Sequence, residues 1–379
     1  MRVYEISNPK DKKGFLEALN VSSGGVEIIS KKMELLLIKV ENIKTPAINI
    51  LKQDALSIGA EVAAPSGVIV CKNEYEDCLI IATPAQLKKL AKKERAQPFG
   101  LKKLASKLEE FLYKKEFPLK IMGVLNINSD SFYSKSRFNQ KEAISKIEQM
   151  VEDGANIIDI GALSSRPGSK PISQDEELSR IKELLDTIKS KRLYTIATFS
   201  IDSYAPKVIE YALNSGFSII NDITGARDSR VIKLATKYRA KLCIMHMQGT
   251  PETMQNNPTY ESVVYEVDNF FENQIKKCQE YGLKKEDIIL DVGIGFGKTL
   301  EHNIELIKNH KHFMHFNCEL LIGASRKSMI DKIYPSPVEE RLPGTLAIHL
   351  KAIENGANIV RCHDVKEHKQ AIEIYQRLN

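Results

Sequence analysis

The stretch M-G-V-L-N-I-N-S-D-S-F-Y, residues 122–133, is an apolar run that stops at Asn126 and continues into small hydroxyl residues. This pattern is typical of a buried β-strand that ends at the rim of a sheet, where a polar side chain needs a partner. A capping loop would explain a single strand end of this kind equally well. Seven similar runs follow along the chain, and together they predict a barrel whose chemistry lies at the carboxyl ends of its strands.

From residue 120 onward, short β-rich runs alternate with amphipathic helical patterns. The predicted strands are Lys120–Ile127, Asn156–Ile160, Tyr194–Ile201, Phe217–Asp222, Lys241–His246, Asp287–Asp291, Glu319–Gly323 and Asn358–Arg361. Several helices between them end at a glycine stop signal, as at Asp153-Gly154. Eight strand–helix units in about 260 residues match the count and length of a closed (β/α)8 TIM barrel of the α/β class.

Residues 1–115 follow a different pattern, which predicts a small α+β domain of unknown role ahead of a barrel domain at residues 116–379. Strands are predicted at Met33–Val40, Gly67–Cys71 and Cys78–Ala82, and helices at Thr45–Gly59, Pro84–Gln97 and Leu101–Lys115. We expect this domain to take no part in the chemical step, because every strand end that carries chemistry follows Lys120.

The composition is typical of a soluble cytoplasmic enzyme. Hydrophobic residues make up 42% and charged residues 27%, and no run approaches the roughly 18 apolar residues of a membrane span. Six scattered cysteines indicate free thiols in a reducing compartment. A net charge of +6 suits an anionic small-molecule substrate, and the absence of an arginine-rich tract argues against nucleic acid as a partner.

Polar side chains occupy the ends of all eight predicted strands. One buried carboxylate is often a helix cap, but eight polar ends that converge on one mouth predict a pocket for a flat polar ligand. Asp202, Asn221 and Asp291 offer carboxylate and amide edges that suit the ring N–H and exocyclic amine of a pterin or purine-like heterocycle. Met245 and Phe296 are either walls of this pocket or ordinary core residues.

A second group of residues in the same loops is basic and predicts an anion such as phosphate or diphosphate. This group comprises Arg166, Lys327, Arg361 and His363. Asn126 is a neutral oxygen donor and a candidate ligand for a Mg²⁺ ion carried by the phosphates. His246 fits a hydrogen-bonded strand-end histidine better than a metal ligand, and no group of His, Cys and Asp residues shows zinc-ligand spacing.

Taken together, these residues resemble dihydropteroate synthase, the folate-pathway enzyme that joins a dihydropterin to 4-aminobenzoate. The resemblance covers about Lys120–Asn379 and rests on M-G-V-L-N-I-N-S-D-S-F, I-D-I-G-A-L-S-S-R-P-G-S, I-N-D-I-T-G, M-H-M-Q-G-T-P, D-V-G-I-G-F-G-K, S-R-K-S and R-C-H-D. It implies condensation of 6-hydroxymethyl-7,8-dihydropterin diphosphate with 4-aminobenzoate to give 7,8-dihydropteroate and diphosphate. It also implies a TIM barrel, Mg²⁺ as cofactor and a cytoplasmic homodimer.

The resemblance also implies roles for individual positions. For the pterin these are Asp202, Asn221, Asp291 and Lys327, with Met245 as a further contact. For 4-aminobenzoate they are Ser165, Phe296 and Ser325. For the diphosphate they are Asn126, which would also hold the metal, Arg166, Arg361 and His363. The catalytic set that it implies is Asp291, Lys327, Arg361 and His363.

Three loops depart from the family pattern. The usual G-G-E-S-T-R-P-G is G-A-L-S-S-R-P-G at residues 161–168, and T-P-D-S-F-S-D-G-G is N-S-D-S-F-Y-S-K-S at residues 128–136. Val292 and Ile294 replace a proline and a phenylalanine. These changes bear on loop dynamics and sulfonamide sensitivity more than on the reaction. Two alternatives stay open, a pterin-binding methyltransferase, which needs no diphosphate cluster, and a non-catalytic pterin-binding paralogue.

Overall fold

The chain forms two compact units in the computed structural model, which describes residues 1–4, 6–9, 11–127, 136–162, 172–250 and 252–378. The first unit spans Met1–Lys114 and the second spans Lys115–Leu378. Each unit is built around its own buried apolar cluster. Among the described residues, no helix is long and apolar enough to cross a membrane.

The first unit contains a three-stranded antiparallel sheet and helices, which confirms the predicted α+β class. Its strands are β1 (Leu36–Lys44), β2 (Glu61–Ala63) and β3 (Tyr75–Ala82), in the order β1–β3–β2. Its helices are α1 (Lys12–Ala18), α2 (Ser23–Ile29), α3 (Thr45–Leu56), α4 (Pro84–Glu94) and α5 (Leu101–Glu110).

The predicted strand at Gly67–Cys71 is wrong, because this segment forms consecutive turns. The backbone N–H of Val68 donates to Pro65 O (3.2 Å), and that of Cys71 donates to Val68 O (3.1 Å). These local bonds use backbone donors that a strand would offer to its neighbour. The remaining strand of the sheet is β2, which is too short for an alternating pattern to reveal. The strand predicted at Met33–Val40 begins at Leu36 instead and runs on to Lys44.

The second unit is a closed barrel of eight parallel strands, as predicted. The strands are β4 (Lys120–Asn126), β5 (Ile157–Gly161), β6 (Thr198–Asp202), β7 (Ile219–Asp222), β8 (Lys241–Met245), β9 (Ile288–Asp291), β10 (Glu319–Ile322) and β11 (Ile359–Cys362). Pairing of β11 with β4, with Val360 beside Ile121, closes the barrel. The strand predicted from Tyr194 starts later, at Thr198, because Leu193–Thr195 forms a 3₁₀ turn.

Helices alternate with these strands. They are α6 (Ser136–Glu152), α7 (Gln174–Ser190), α8 (Pro206–Asn214), α9 (Ser229–Tyr238), α10 (Val263–Glu280), α11 (Leu300–Lys308), α12 (Ser328–Ile333), α13 (Leu342–Glu354) and α14 (Val365–Leu378). Side-chain caps fix where some of these helices begin. Ser173 accepts a hydrogen bond from Glu176 N at the start of α7, and Thr299 caps α11 in the same way.

One apolar layer inside the barrel sets the position of the polar residues above it. This layer consists of Met122, Ile157, Ile219, Cys243, Ile289, Leu321 and Ile359. Because side chains alternate along a strand, residues two positions further on point to the same interior. On five of these strands those positions hold Asp159, Asn221, Met245, Asp291 and Arg361. The apolar layer therefore forms the floor of a polar layer at the carboxyl ends of the strands.

Candidate active site

Arg361, on β11, binds two carboxylates of the polar layer. Its Nε donates to Asp159 Oδ2 (2.7 Å), and its Nη2 donates to Asp202 Oδ2 (2.6 Å). Asp159 is fully buried, and its Oδ2 also accepts a hydrogen bond from Asn221 Nδ2 (3.0 Å). The guanidinium therefore joins β5, β6 and β11 through charge-assisted bonds, and the amide adds β7 to the network.

The electrostatics of this network follow from burial and charge pairing. Burial raises the pKa of Asp202 above its ordinary value, although the Arg361 guanidinium opposes the rise. Burial acts against the charge of Arg361, but the carboxylates of Asp159 and Asp202 outweigh it and raise the pKa of Arg361. The guanidinium therefore stays charged, and its fixed position supplies a cation at the base of the mouth.

Asp291, at the end of β9, and Lys327, in the loop after β10, are two further ionisable groups that influence each other. Asp291 Oδ1 accepts a hydrogen bond from Gly293 N (2.8 Å), and burial raises the pKa of Asp291 against the charge of Lys327. The ammonium of Lys327 donates to Ile294 O and lies 4.5 Å from the centroid of the Phe296 ring. Burial lowers the pKa of Lys327 to about 8, although Asp291 opposes this change.

Lys298 fixes the loop that carries Phe296. Its ammonium lies 3.0 Å from His246 Nδ1 and donates to His246 O (3.2 Å) and Phe296 O (2.9 Å). Burial lowers the pKa of His246 to about 2, so the imidazole is neutral and its Nδ1 accepts a hydrogen bond from the Lys298 amine. Burial also lowers the pKa of Lys298 to about 7. The backbone of Gly293, with φ of +68°, lies against His246 O, and a Cβ at Gly293 would lie 2.0 Å from that oxygen.

The loops after β10 and β11 are joined at two places. Ser325 Oγ accepts a hydrogen bond from His363 N (3.3 Å) and lies 2.9 Å from His363 Nδ1. Arg326 donates to both carboxylate oxygens of Asp364, from Nε at 3.0 Å and from Nη2 at 2.6 Å. A bidentate pair of this kind fixes orientation as well as distance.

Behind these loops, two buried histidines form a chain of hydrogen bonds with a defined direction. Ala324 N donates to His349 Nε2 (2.9 Å), so the proton of His349 lies on Nδ1. His349 Nδ1 lies 2.8 Å from His368 Nε2, and His368 Nδ1 donates to Asp364 O (2.6 Å). Burial lowers the pKa of both histidines, so the chain links the two loops without adding charge.

The predicted site residues fall into three groups. The structure brings Asp202, Asn221, Asp291, Phe296, Ser325, Lys327, Arg361 and His363 to the carboxyl ends of the strands and the loops that follow them. Met245 is buried and packs with Met247, Met254 and, at its edge, Phe296. Asn126 ends β4 and is exposed. Ser165 and Arg166 lie outside the described residues.

Two residues of the site, Asp159 and Lys298, carry no role in the sequence-based prediction. Asp159 interrupts a run of isoleucines, and a charged residue inside a buried strand is a signal that it must pair. Its partner Arg361 lies 202 positions away, which sequence spacing does not reveal. Lys298 follows the glycines of the sixth-strand loop, and its burial to 2% exposure is visible only in the fold.

The closed barrel and the carboxylate and amide groups at its strand ends define the class of protein to which the chain belongs. Comparison with known families identifies the same class. Residues 122–363 match the pterin-binding enzyme family, and the chain belongs to that family. Within it, the relatives at about 40% identity are dihydropteroate synthases.

One relative matches both units of the chain. It is the bifunctional dihydropteroate synthase/dihydropteroate reductase of Helicobacter pylori, 41% identical over 98% of this chain and 97% of its own length. The dihydropteroate synthase of Haemophilus influenzae is 39% identical over 68% of this chain and 92% of its own. The crystal structure of the Thermus thermophilus enzyme in complex with 4-aminobenzoate is similar with a TM-score of 0.61 at 32% identity, and covers 69% of this chain and 95% of its own.

Proposed function

We propose that this protein is a dihydropteroate synthase that condenses 6-hydroxymethyl-7,8-dihydropterin diphosphate with 4-aminobenzoate. The observation that carries the proposal is the polar layer in which Asp202, Asn221 and Asp291 lie beside the cations of Lys327 and Arg361. The acids and the amide suit the donors of a pterin ring, and the cations suit a charged leaving group. The matched relatives carry the same activity in their names.

The reaction replaces a C–O bond with a C–N bond. As the bond between the pterin methylene and the diphosphate oxygen breaks, its electrons leave with the diphosphate, and the electron-rich ring stabilises the cationic carbon. The aniline nitrogen of 4-aminobenzoate then bonds to that carbon and loses a proton. Asp291 stabilises the positive charge, and Arg361 and His363 meet the departing anion. No strong base is required, because the proton leaves a nitrogen that has become acidic on bonding.

Side chains with fixed positions in the walls of the site suit the second substrate, 4-aminobenzoate. Phe296 offers an aromatic face, and Lys327 lies over that face. Ser325 is held at hydrogen-bond distance from His363, at the start of the same loop as Lys327. We propose that these groups frame 4-aminobenzoate together with Ser165, and that Arg166 joins the diphosphate cluster.

Mg²⁺ fits this proposal through the chemistry of its donors. Asn126 presents an exposed amide at the end of β4, next to β5 and β11 in the barrel, and the amide oxygen is a hard ligand that suits Mg²⁺. When bound, the ion would neutralise charge on the diphosphate.

Turnover of the pterin diphosphate with 4-aminobenzoate tests the proposal. Dihydropteroate and diphosphate should form in equal amounts, and excess chelator should suppress both. A pterin-binding methyltransferase would give no diphosphate, and a non-catalytic paralogue would bind pterin without turnover. The Asp202→Ala variant should bind pterin more weakly by roughly 1.5–3 kcal/mol, since it removes a charged acceptor.

The full-length match to a bifunctional relative favours a second candidate activity, reduction of dihydropteroate. This step adds a hydride and a proton to the ring and needs a reduced nicotinamide or flavin as donor. We propose that the first unit, Met1–Lys114, contributes to it, because the match extends across that unit. Tetrahydropteroate should form from dihydropteroate with NADPH and a flavin present. A chain that begins near Phe117 should lose that product and keep synthase turnover.

We further propose a homodimer in the cytoplasm, without nucleic acid or membrane partners. All six cysteines are free thiols, and five are buried, which suits a reducing compartment. Light scattering on the purified chain at several concentrations gives the oligomeric state directly. A monomer at every concentration contradicts the homodimer.

A further inference from the structure

One cluster of potential metal ligands lies away from the carboxyl ends of the strands. It consists of Asp268 on α10 and of His312 and His315 on the 3₁₀ segment His310–Phe316. Both imidazole Nε2 atoms converge on Asp268 Oδ1, at 2.9 Å from His312 and 2.6 Å from His315. The three potential ligand atoms all lie within 4.8 Å of one another.

The packing around this cluster fixes its geometry. Asp268 and His315 are buried, at 6% and 7% exposure, while His312 is half-buried and leaves a path from solvent. Phe271 on the same helix packs edge-on against Phe313 (5.6 Å) and Phe316 (6.0 Å) of the 3₁₀ segment. Phe271 therefore holds helix and segment together next to the ligand atoms, so little ordering entropy remains to be lost when an ion binds.

We propose that Asp268, His312 and His315 form a binding site for a divalent transition metal ion of the zinc type. Two imidazole nitrogens and one carboxylate oxygen are the donors that Zn²⁺ takes at sites with an open position for water. Mg²⁺ prefers oxygen donors and would compete poorly here. The site lies outside the proposed catalytic chemistry and does not depend on it.

Binding requires only a small opening of the two contacts to Asp268. Ligand atoms around a tetrahedral zinc ion lie about 3.3 Å apart, so the two Nε2–Oδ1 distances must open by roughly half an ångström. In the metal-bound form each imidazole presents the electron pair of Nε2 to the ion in place of its proton. Both Nε2 atoms already face the Asp268 oxygen that would bind the same ion.

The full chain should be titrated with Zn²⁺ against a chromogenic chelator in excess Mg²⁺, together with the Asp268→Asn and His312→Gln variants. The matched control is His302→Gln, because His302 is the capping partner of Thr299 and glutamine suits that position. We expect one saturable zinc ion per chain, bound about 10-fold or more weaker in both site variants and unchanged in the control.

Co²⁺ gives an independent measurement, since its visible absorption reports nitrogen ligands and should disappear in His312→Gln. Circular dichroism confirms that each variant is folded, and the half-buried position of His312 makes its replacement the milder of the two. The proposal is overturned by an absence of saturable binding to the wild-type chain, by wild-type affinity in both site variants, or by an equal loss in His302→Gln. Any one of these results would mean that hydrogen bonds alone hold the cluster together and that it is not a zinc site.

Discussion

Asp159→Asn tests whether the buried carboxylate of β5 positions the active-site cation. The carboxylate accepts a charge-assisted bond from Arg361 Nε and an amide bond from Asn221. A hydrogen bond to a charged group contributes about 1.5–3 kcal/mol, and a neutral one about 0.5–1.5 kcal/mol. Asparagine keeps the shape and one acceptor, and Arg361 retains Asp202. We therefore expect a loss of about 2 kcal/mol in the free energy of unfolding.

The same change should weaken pterin binding, because Arg361 and Asn221 lose the anchor that sets their orientation. A loss of about 1.4 kcal/mol corresponds to a tenfold weaker affinity. Urea unfolding gives the stability, and calorimetry with a pterin ligand gives the affinity. Asp159→Ala should cost more, about 3–5 kcal/mol of stability, since it leaves two buried donors unpaired.

Ser200→Ala is the matched control, since Ser200 lies beside Asp159 in the barrel register. Its buried hydroxyl makes no hydrogen bond within the described part of the chain, so its loss should leave both measurements unchanged. The positioning role of Asp159 is refuted if Asp159→Asn retains wild-type stability and wild-type pterin affinity. A double-mutant cycle with Arg361→Gln should give a coupling of about 1 kcal/mol or more.

Four further expectations follow from the site. Burial lowers the pKa of Lys327 to about 8, so the side chain is charged below that pH and neutral above it. We therefore expect kcat/KM to fall above about pH 8. The small residual activity of Lys327→Arg should not show this fall. Gly293→Ala should lower Tm, because its φ is positive and a Cβ meets a carbonyl oxygen, whereas Gly323→Ala, with no neighbour closer than 3.8 Å, serves as control. His349→Phe should leave a buried backbone N–H unpaired, cost about 1–3 kcal/mol by urea unfolding, and raise KM for the diphosphate substrate. A chain that begins near Phe117 should retain synthase turnover, and a folded but inactive product would contradict this.

The barrel was predictable because its information is local. Each strand is a short apolar run with a polar end, and two residues along a strand return a side chain to the same interior. The acids and amides of the site therefore followed from strand position alone, as for Asn221 and Asp291. Gly67–Cys71 failed for the opposite reason, since β-branched composition suggested a strand while its backbone bonds close into local turns.

Pairings across the barrel were not predictable in the same way. Arg361 was expected to bind the diphosphate, yet whether its guanidinium also meets Asp159 depends on side-chain reach across the barrel. Asp268 and His315 are 47 positions apart, so no ligand spacing joins them in the sequence. Contacts of this kind are set by the closure of the barrel and the packing of its outer helices.

Lys298 and Lys327 allow the site to take up protons when an anion binds. With pKa values of about 7 for Lys298 and about 8 for Lys327, part of each amine is unprotonated near neutral pH. An arriving anion raises the pKa of nearby amines, so the enzyme should take up protons from the buffer when the diphosphate substrate binds. The heat of binding would then vary with the ionisation enthalpy of the buffer. Departure of diphosphate should return those protons to solvent, which couples product release to the acidity of the medium.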